Sequence, residues 1–139
     1  LSVLEIDARI PSQTPAAVYA ATGINLLDML VGSALGRSLE AESSGGASVY
    51  EHFVINGNRI SACGEKEFSN FRNPRVVSGI FGCDEMITDY EPGKENWYTT
   101  VITRGRTEAE VDSKRELIVS EIMETCGLDE RMDPRPEAV

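Results

Sequence analysis

The sequence predicts an α+β domain with a mainly antiparallel sheet, two short N-terminal helices and one long C-terminal helix. Three observations carry this. The segments run β-α-α-β-β-β-β-β-α, without the strict strand–helix alternation that a parallel sheet needs. Asn56-Gly57 separates two strand-like runs, the strongest short-range hairpin signal. Thr107-Glu108-Ala109-Glu110 is a capping box opening a helical run to about Cys126.

Each element has its own warrant. Leu4, Ile6, Ala8 and Ile10 alternate with Glu5, Asp7 and Arg9, the period of a strand with one charged face, and Pro11 stops it. Thr14-Pro15 opens a helix over Ala16–Ala21, with Thr14 as cap and an end near Gly23. Asn25 caps a second helix, with Asp28 in its first turn, one apolar face made by Leu26, Leu27, Leu30, Val31 and Ala34, and Gly36 as terminator. Ser43-Ser44-Gly45-Gly46 reads as a flexible loop with nothing to pack. Val49–Ile55 and Arg59–Ala62 form the hairpin, while Glu65–Arg72 is polar and fits no period. Val76–Phe81 and Glu85–Tyr90 read as short strands, and Trp97–Thr103, aromatic and β-branched, as another. The long helix buries Val111, Leu117, Ile118 and Ile122 and stops at Gly127. The domain spans residues 1–128; from Asp129 to Val139, with Pro134 and Pro136, a loosely ordered tail is expected.

Composition narrows the function. The 139 residues suit one domain able to bury a core. With 23 acidic against 13 basic side chains, a net charge of −10 repels phosphates, so neither nucleic acid nor an anionic membrane is an expected partner. No apolar run reaches the roughly 18–20 residues of a membrane span, and no basic segment followed by an apolar one marks a secretory signal. His52 is the single histidine, which excludes a multi-histidine metal site; inside Val49–Val54 its expected role is structural. Cys63, Cys83 and Cys126 are odd in number and far apart, so reduced thiols in a cytoplasmic protein are expected rather than zinc or a disulfide framework. Cys83 has no neighbour in sequence that would lower its pKa, and an inert thiol is expected. Asp84 and Glu85 read as turn acids, Arg104 and Arg106 as a solvated loop around Gly105, and Trp97 and Tyr98 as core. The chain begins at Leu1, directly in strand-like sequence, which reads as a fragment or a processed chain.

The chemistry concentrates at the start. Glu5, Asp7 and Arg9 project from one strand face at spacings of roughly 7 Å. Two carboxylates so placed suit a hard divalent cation such as Mg²⁺, and an arginine beside them suits a phosphate. Three charges alone read more simply as the wet face of an amphipathic strand. The following Ile10-Pro11-Ser12-Gln13-Thr14-Pro15 changes the balance, because hydroxyls, an amide and free helix N–H groups converge there; ordinary capping competes for Ser12 and Thr14.

Glu5-x-Asp7-x-Arg9 resembles the Glu-x-Asn-x-Arg strand motif of the ATP-grasp ligases. The longer string from Leu4 to Pro15, with Val18-Tyr19 and Thr22-Gly23-Ile24-Asn25, resembles the branch of that family that serves pyrrolysine biosynthesis. The resemblance covers about the first quarter of the chain. It implies the C-terminal part of an ATP-grasp fold, with ATP and Mg²⁺ as cofactors. Glu5 would bind the Mg²⁺ that bridges the ATP phosphates, and Asp7 would join it where most of the family carries Asn. Arg9 would stabilise the transferred phosphoryl group, with Ser12, Gln13 and Thr14 beside the amino-acid substrate. The implied reaction joins 3-methyl-D-ornithine to the ε-amine of L-lysine through an acyl phosphate.

Segments outside this chain would supply the adenine pocket, the phosphate-binding lysines and a further metal-ligating acid, so the chain alone is expected to be inactive. Severing it from them would expose apolar surface, and a homodimer is then the expected assembly. Two other readings stand beside this one. The chain could belong to an ATP-grasp ligase for other amino acids. It could also be a non-catalytic interaction module that offers the hairpin at Asn56-Gly57 and the Trp97–Thr103 strand as a sheet edge.

Overall fold

A computed structural model describes residues 13–38, 40–64 and 72–133. Their elements are α1 (Thr14–Thr22), α2 (Leu26–Ala34), β1 (Ala47–Asn56), β2 (Arg59–Cys63), β3 (Arg75–Val77), a 3-10 turn (Ile80–Gly82), β4 (Glu85–Thr88), β5 (Asn96–Gly105), α3 (Glu108–Cys126) and β6 (Glu130–Met132). The six strands form one mixed sheet in the order β3-β4-β5-β1-β2-β6. Only the β2–β6 pairing is parallel. The α+β class, the mainly antiparallel sheet, the two short helices and the long one are as predicted. No single helix among the described residues is long and apolar enough to cross a membrane.

β1 and β5 pair over ten residues each, from Ala47↔Gly105 to Asn56↔Asn96. Side chains alternate across this ribbon, which gives it two working faces. Phe53 and Ile55 of β1 and Trp97 and Val101 of β5 meet Ile118, Val119 and Ile122 of α3, and this is the core. The other parity holds Ser48, His52 and Thr100 and carries α1: the Ser48 hydroxyl donates to the Ala17 carbonyl at 2.7 Å.

Several local expectations are corrected. Thr14 is not the cap of α1. Helical bonding starts one residue earlier, with the Ala17 N–H donating to the Gln13 carbonyl at 3.1 Å, so Gln13 holds the cap position and Thr14 is helical and exposed. The Gln13 side chain makes no cap bond because His52 engages it. Asn25 caps α2 as expected, accepting from the Leu27 and Asp28 N–H groups. The apolar face read on α2 is not buried: Leu27, Leu30 and Val31 are exposed, and Gly32 is the buried residue of that helix. The Ser43–Gly46 loop is packed rather than free. Ser44 binds the Thr22 carbonyl through both its N–H and its hydroxyl, and a Cβ on Gly46 would lie 2.6 Å from the Ala21 carbonyl oxygen, so only glycine fits there.

The hairpin turn sits one residue later than Asn56-Gly57. Asn56 still pairs with Arg59, and Gly57 takes the first loop position with φ +61°, the place a type II′ connection reserves for glycine. The strand expected at Val76–Phe81 ends at Val77. Gly79 and Phe81 both turn to positive φ, and the Phe81 ring thereby stacks on Trp97 at 6.2 Å between centroids. Leu117 is 70% exposed; Arg115 and Val119 join Val111, Ile118 and Ile122 on the buried side of α3. β5 lies inside the sheet, bonded on both sides, so Trp97–Thr103 offers no free edge. The segment read as a loose tail contributes β6 at Glu130–Met132, paired with β2. The strand expected over Leu1–Ile10, and Glu65–Phe71 of the polar segment, lie outside the described residues.

Candidate functional site

Of the expected site residues, Glu5, Asp7, Arg9 and Ser12 lie outside the described residues, and Gln13 and Thr14 lie within them. Gln13 stands at the start of α1, directly over the β1–β5 ribbon. Its amide nitrogen is 3.0 Å from His52 Nε2, and His52 Nδ1 is 2.7 Å from the Thr100 hydroxyl. Both ring nitrogens are thereby engaged by neutral polar side chains. His52 is 6% exposed and Thr100 fully buried, because they face each other across the register His52↔Thr100 beneath α1. Tyr50 adds an edge-on ring contact to His52 at 5.4 Å. The structural role expected of His52 therefore includes a direct grip on Gln13. Sequence inspection could not find that link, since it depends on the β1–β5 register and the seat of α1.

Beside the other end of α1, a cleft of about 470 Å³ opens between Tyr19, Gly23, Ser44 and the Arg104-Gly105-Arg106 corner. Both arginines have partners. Arg106 reaches Glu110 at 3.4 Å, and Arg104 approaches Asp84 at 3.6 Å. Asp84 also accepts from the Arg104 backbone N–H at 2.8 Å and from Lys114 at 3.0 Å. Partial burial pushes the Asp84 pKa up, but these donors outweigh it and hold the carboxyl below its usual range. Asp84 thus ties the start of β4 to β5 and α3, a role beyond turn solvation. Burial raises the Cys83 thiol to about 11, which fits an inert thiol. Among the described residues, no group of three or more His, Cys, Asp or Glu side chains is placed to hold a metal.

The largest charge cluster was missed in sequence. Arg115, 1% exposed, places all five donors on acids: Nε and Nη2 on Glu51, both terminal nitrogens on Asp133, and Nη1 also on Glu116. Arg131 closes the cluster on Glu116 and Asp133. The guanidinium also lies 5.6 Å from the centre of the Phe53 ring. The only signal in the sequence is an arginine at helical spacing within the apolar stripe, between Val111 and Ile118. With every donor used, this cluster fastens α3 to β1 and to the end of β6 rather than awaiting a ligand.

No protein-family model matches the chain. Curated relatives do. Over 62 residues it is 42% identical to the "3-methyl-D-ornithine--L-lysine ligase" of Methanosarcina mazei, covering 43% of this chain and 17% of that enzyme. The chain is similar to 3-methyl-D-ornithine–L-lysine ligases. The enzyme of the same name from Methanosarcina acetivorans is 41% identical over 61 residues, 42% of this chain and 16% of the relative. That of Methanosarcina barkeri is 39% identical over 62 residues, 43% and 17% of the two chains. The matched stretch spans about a sixth of the length of these ligases. The resemblance read from the string around Glu5 to Asn25 therefore holds at the level of a ligase.

Proposed function

We propose that the chain is part of an ATP-grasp carboxylate–amine ligase that joins 3-methyl-D-ornithine to the ε-amine of L-lysine in pyrrolysine biosynthesis. The observation that carries this reading is the identity of about two residues in five to three ligases of that name. In the first step a carboxylate oxygen of 3-methyl-D-ornithine attacks the γ-phosphorus of ATP, and ADP departs. In the second, the lysine ε-nitrogen attacks the acyl carbon, the bond to phosphate breaks, and the nitrogen loses a proton.

The chain's own residues have distinct parts in this. Glu5 and Asp7, two carboxylates at alternate positions of a strand-like segment, are the side chains suited to hold Mg²⁺. Bound there, the ion would neutralise charge on the phosphoryl oxygens. Arg9 adds a planar fork to the same oxygens. Ser12, Gln13 and Thr14 lie beside the amino-acid substrate. The adenine pocket and the phosphate-binding lysines come from segments not in this chain, so the 139 residues alone bind nucleotide weakly and catalyse nothing.

The test is thermal stabilisation by Mg²⁺ and ATP in a chain extended upstream to the length of its relatives, followed by turnover with the two amino acids. Mg²⁺-dependent stabilisation that Glu5→Ala abolishes is expected. Indifference to nucleotide in the extended chain overturns the proposal.

A further inference from the structure

We infer that Asn56-Gly57 is a site of spontaneous deamidation that the fold holds shut, with Asn96 as its latch. The reaction needs only water. The main-chain nitrogen of Gly57, having given its proton to solvent, attacks Cγ of Asn56. A C–N bond forms, the bond from Cγ to Nδ2 breaks, ammonia leaves and a succinimide ring closes. Water then opens the ring. Cleavage at Cγ leaves aspartate, and cleavage at the main-chain carbonyl of Asn56 leaves isoaspartate, with one extra carbon in the main chain.

The sequence supplies the liability. Asn56 is the one asparagine that precedes a glycine. Glycine has no Cβ to crowd the attacking nitrogen. Asn56 and Gly57 are both exposed, so solvent reaches them.

The structure opposes the reaction at two points. Asn56 is the last residue of β1, paired with Asn96 on one side and Arg59 on the other. Extended backbone of this kind has ψ of about +135°. Carrying Cγ onto the Gly57 nitrogen needs ψ of the opposite sign, so those pairings have to open first. The second obstacle is the proton that must leave. The Gly57 N–H donates to the Glu95 carbonyl at 3.2 Å and to Asn96 Oδ1 at 3.3 Å. A backbone N–H only donates, which fixes the Asn96 amide with its oxygen toward Gly57. Removing the proton forfeits both bonds and sets an anionic nitrogen against two oxygens. The turn is fastened from the other side as well. The Asn58 carbonyl accepts from the N–H groups of Asp129 at 3.0 Å and Glu130 at 3.1 Å. Held from the start of β5 and from the start of β6, the turn reaches the attack geometry only when this end of the hairpin opens. Of the two acceptors at Gly57, Asn96 is the one a substitution can remove.

The test holds the 139-residue chain in mildly alkaline buffer and follows Asn56 by peptide mapping with isoaspartate detection, each variant being checked for its fold by circular dichroism. The folded chain is expected to convert at least about tenfold more slowly than the same chain in urea. Asn96→Ala is expected to speed conversion about fivefold, the worth of one neutral hydrogen bond. Asn96→Asp keeps an oxygen acceptor and is expected to stay near the original rate. Thr107→Ala weakens the cap of α3, beyond the opposite end of the β1–β5 ribbon, and is expected to leave the rate near the original.

Equal rates in the folded and urea-unfolded chain overturn the inference. So does Asn96→Ala converting no faster than the original, or Asn96→Asp converting as fast as Asn96→Ala, since either removes Asn96 as the latch. Equal acceleration by Asn96→Ala and Thr107→Ala also overturns it, because conversion would then pass through unfolding of the whole domain.

Discussion

Arg115 shows how a single side chain can set the behaviour of this protein. Its guanidinium is buried, with Glu51 on its Nε–Nη2 edge and Asp133 on its Nη1–Nη2 edge. Burial works against the charge, yet the hydrogen bonds that Arg115 donates to Glu51 and Asp133 outweigh it and raise its pKa. Removing it leaves acids clustered around a buried cavity, so Arg115→Ala is expected to destabilise the chain by about 3–5 kcal/mol in urea unfolding. Arg115→Lys should recover little, since one ammonium cannot replace a five-donor fork. The same cluster makes stability fall in acid. Bonds from Arg131 lower the Glu116 carboxyl from 4.5 to about 2, and Asp133 and Asp84 are also lowered by their cationic partners. Depressed folded-state pKa values give stability that is whole above the unfolded value and lost as pH falls through the folded one. Thermal midpoints should therefore drop between about pH 4.5 and pH 2. Glu116→Gln should flatten part of that fall, and an unchanged slope would remove Glu116 from the account.

At the scale of elements, α3 was legible at its ends and ambiguous in its middle. Thr107 accepts from the Glu110 N–H and Gly127 ends the helix in the left-handed region, both as the residue types require. The Glu110 carboxylate reaches back to the Arg106 N–H at 3.0 Å, one residue beyond the cap itself. Thr107→Ala should cost about 1 kcal/mol. Leu117 and Ile118 are adjacent apolar residues, and periodicity admitted both to the stripe. Only docking on the sheet separates them: Ile118 is 2% exposed and Leu117 is 70% exposed. Ile118→Ala is accordingly expected to cost about 2–5 kcal/mol. Leu117→Ala should stay within about 0.5 kcal/mol by the same unfolding measurement. β3 failed as a six-residue strand for a different reason. Val76 and Val77 favour a strand, but burying the Phe81 ring against Trp97 and Tyr90 requires the chain to turn at Gly79.

For the whole molecule, one sheet carries two different loads. The face under α3 is the core, and the face under α1 holds the Gln13–His52–Thr100 contacts. The C-terminal segment links the sheet edge to the core helix. Glu130–Met132 pair with β2, and Asp133 then reaches Arg115. A chain ending at Leu128 should therefore lose more than an edge strand. Its destabilisation should approach that of Arg115→Ala, and combining the two changes should cost much less than their sum, because both break the same ion cluster. Fully additive losses in urea unfolding would show β6 and the cluster to be independent.

The sequence by itself determined the class, the N-caps of α2 and α3, the hairpin and the likeness to a ligase. Those features are local: a cap, a turn, an alternating pattern or a string of residues carries its own physics within a few positions. Only the tertiary structure decided that β5 lies mid-sheet, that the apolar face of α2 is outward, that Arg115 is buried among acids and that Gln13 answers to His52. Each of these depends on which face meets which across dozens of residues of chain, and hydrophobic period alone does not say which of two neighbouring faces is covered.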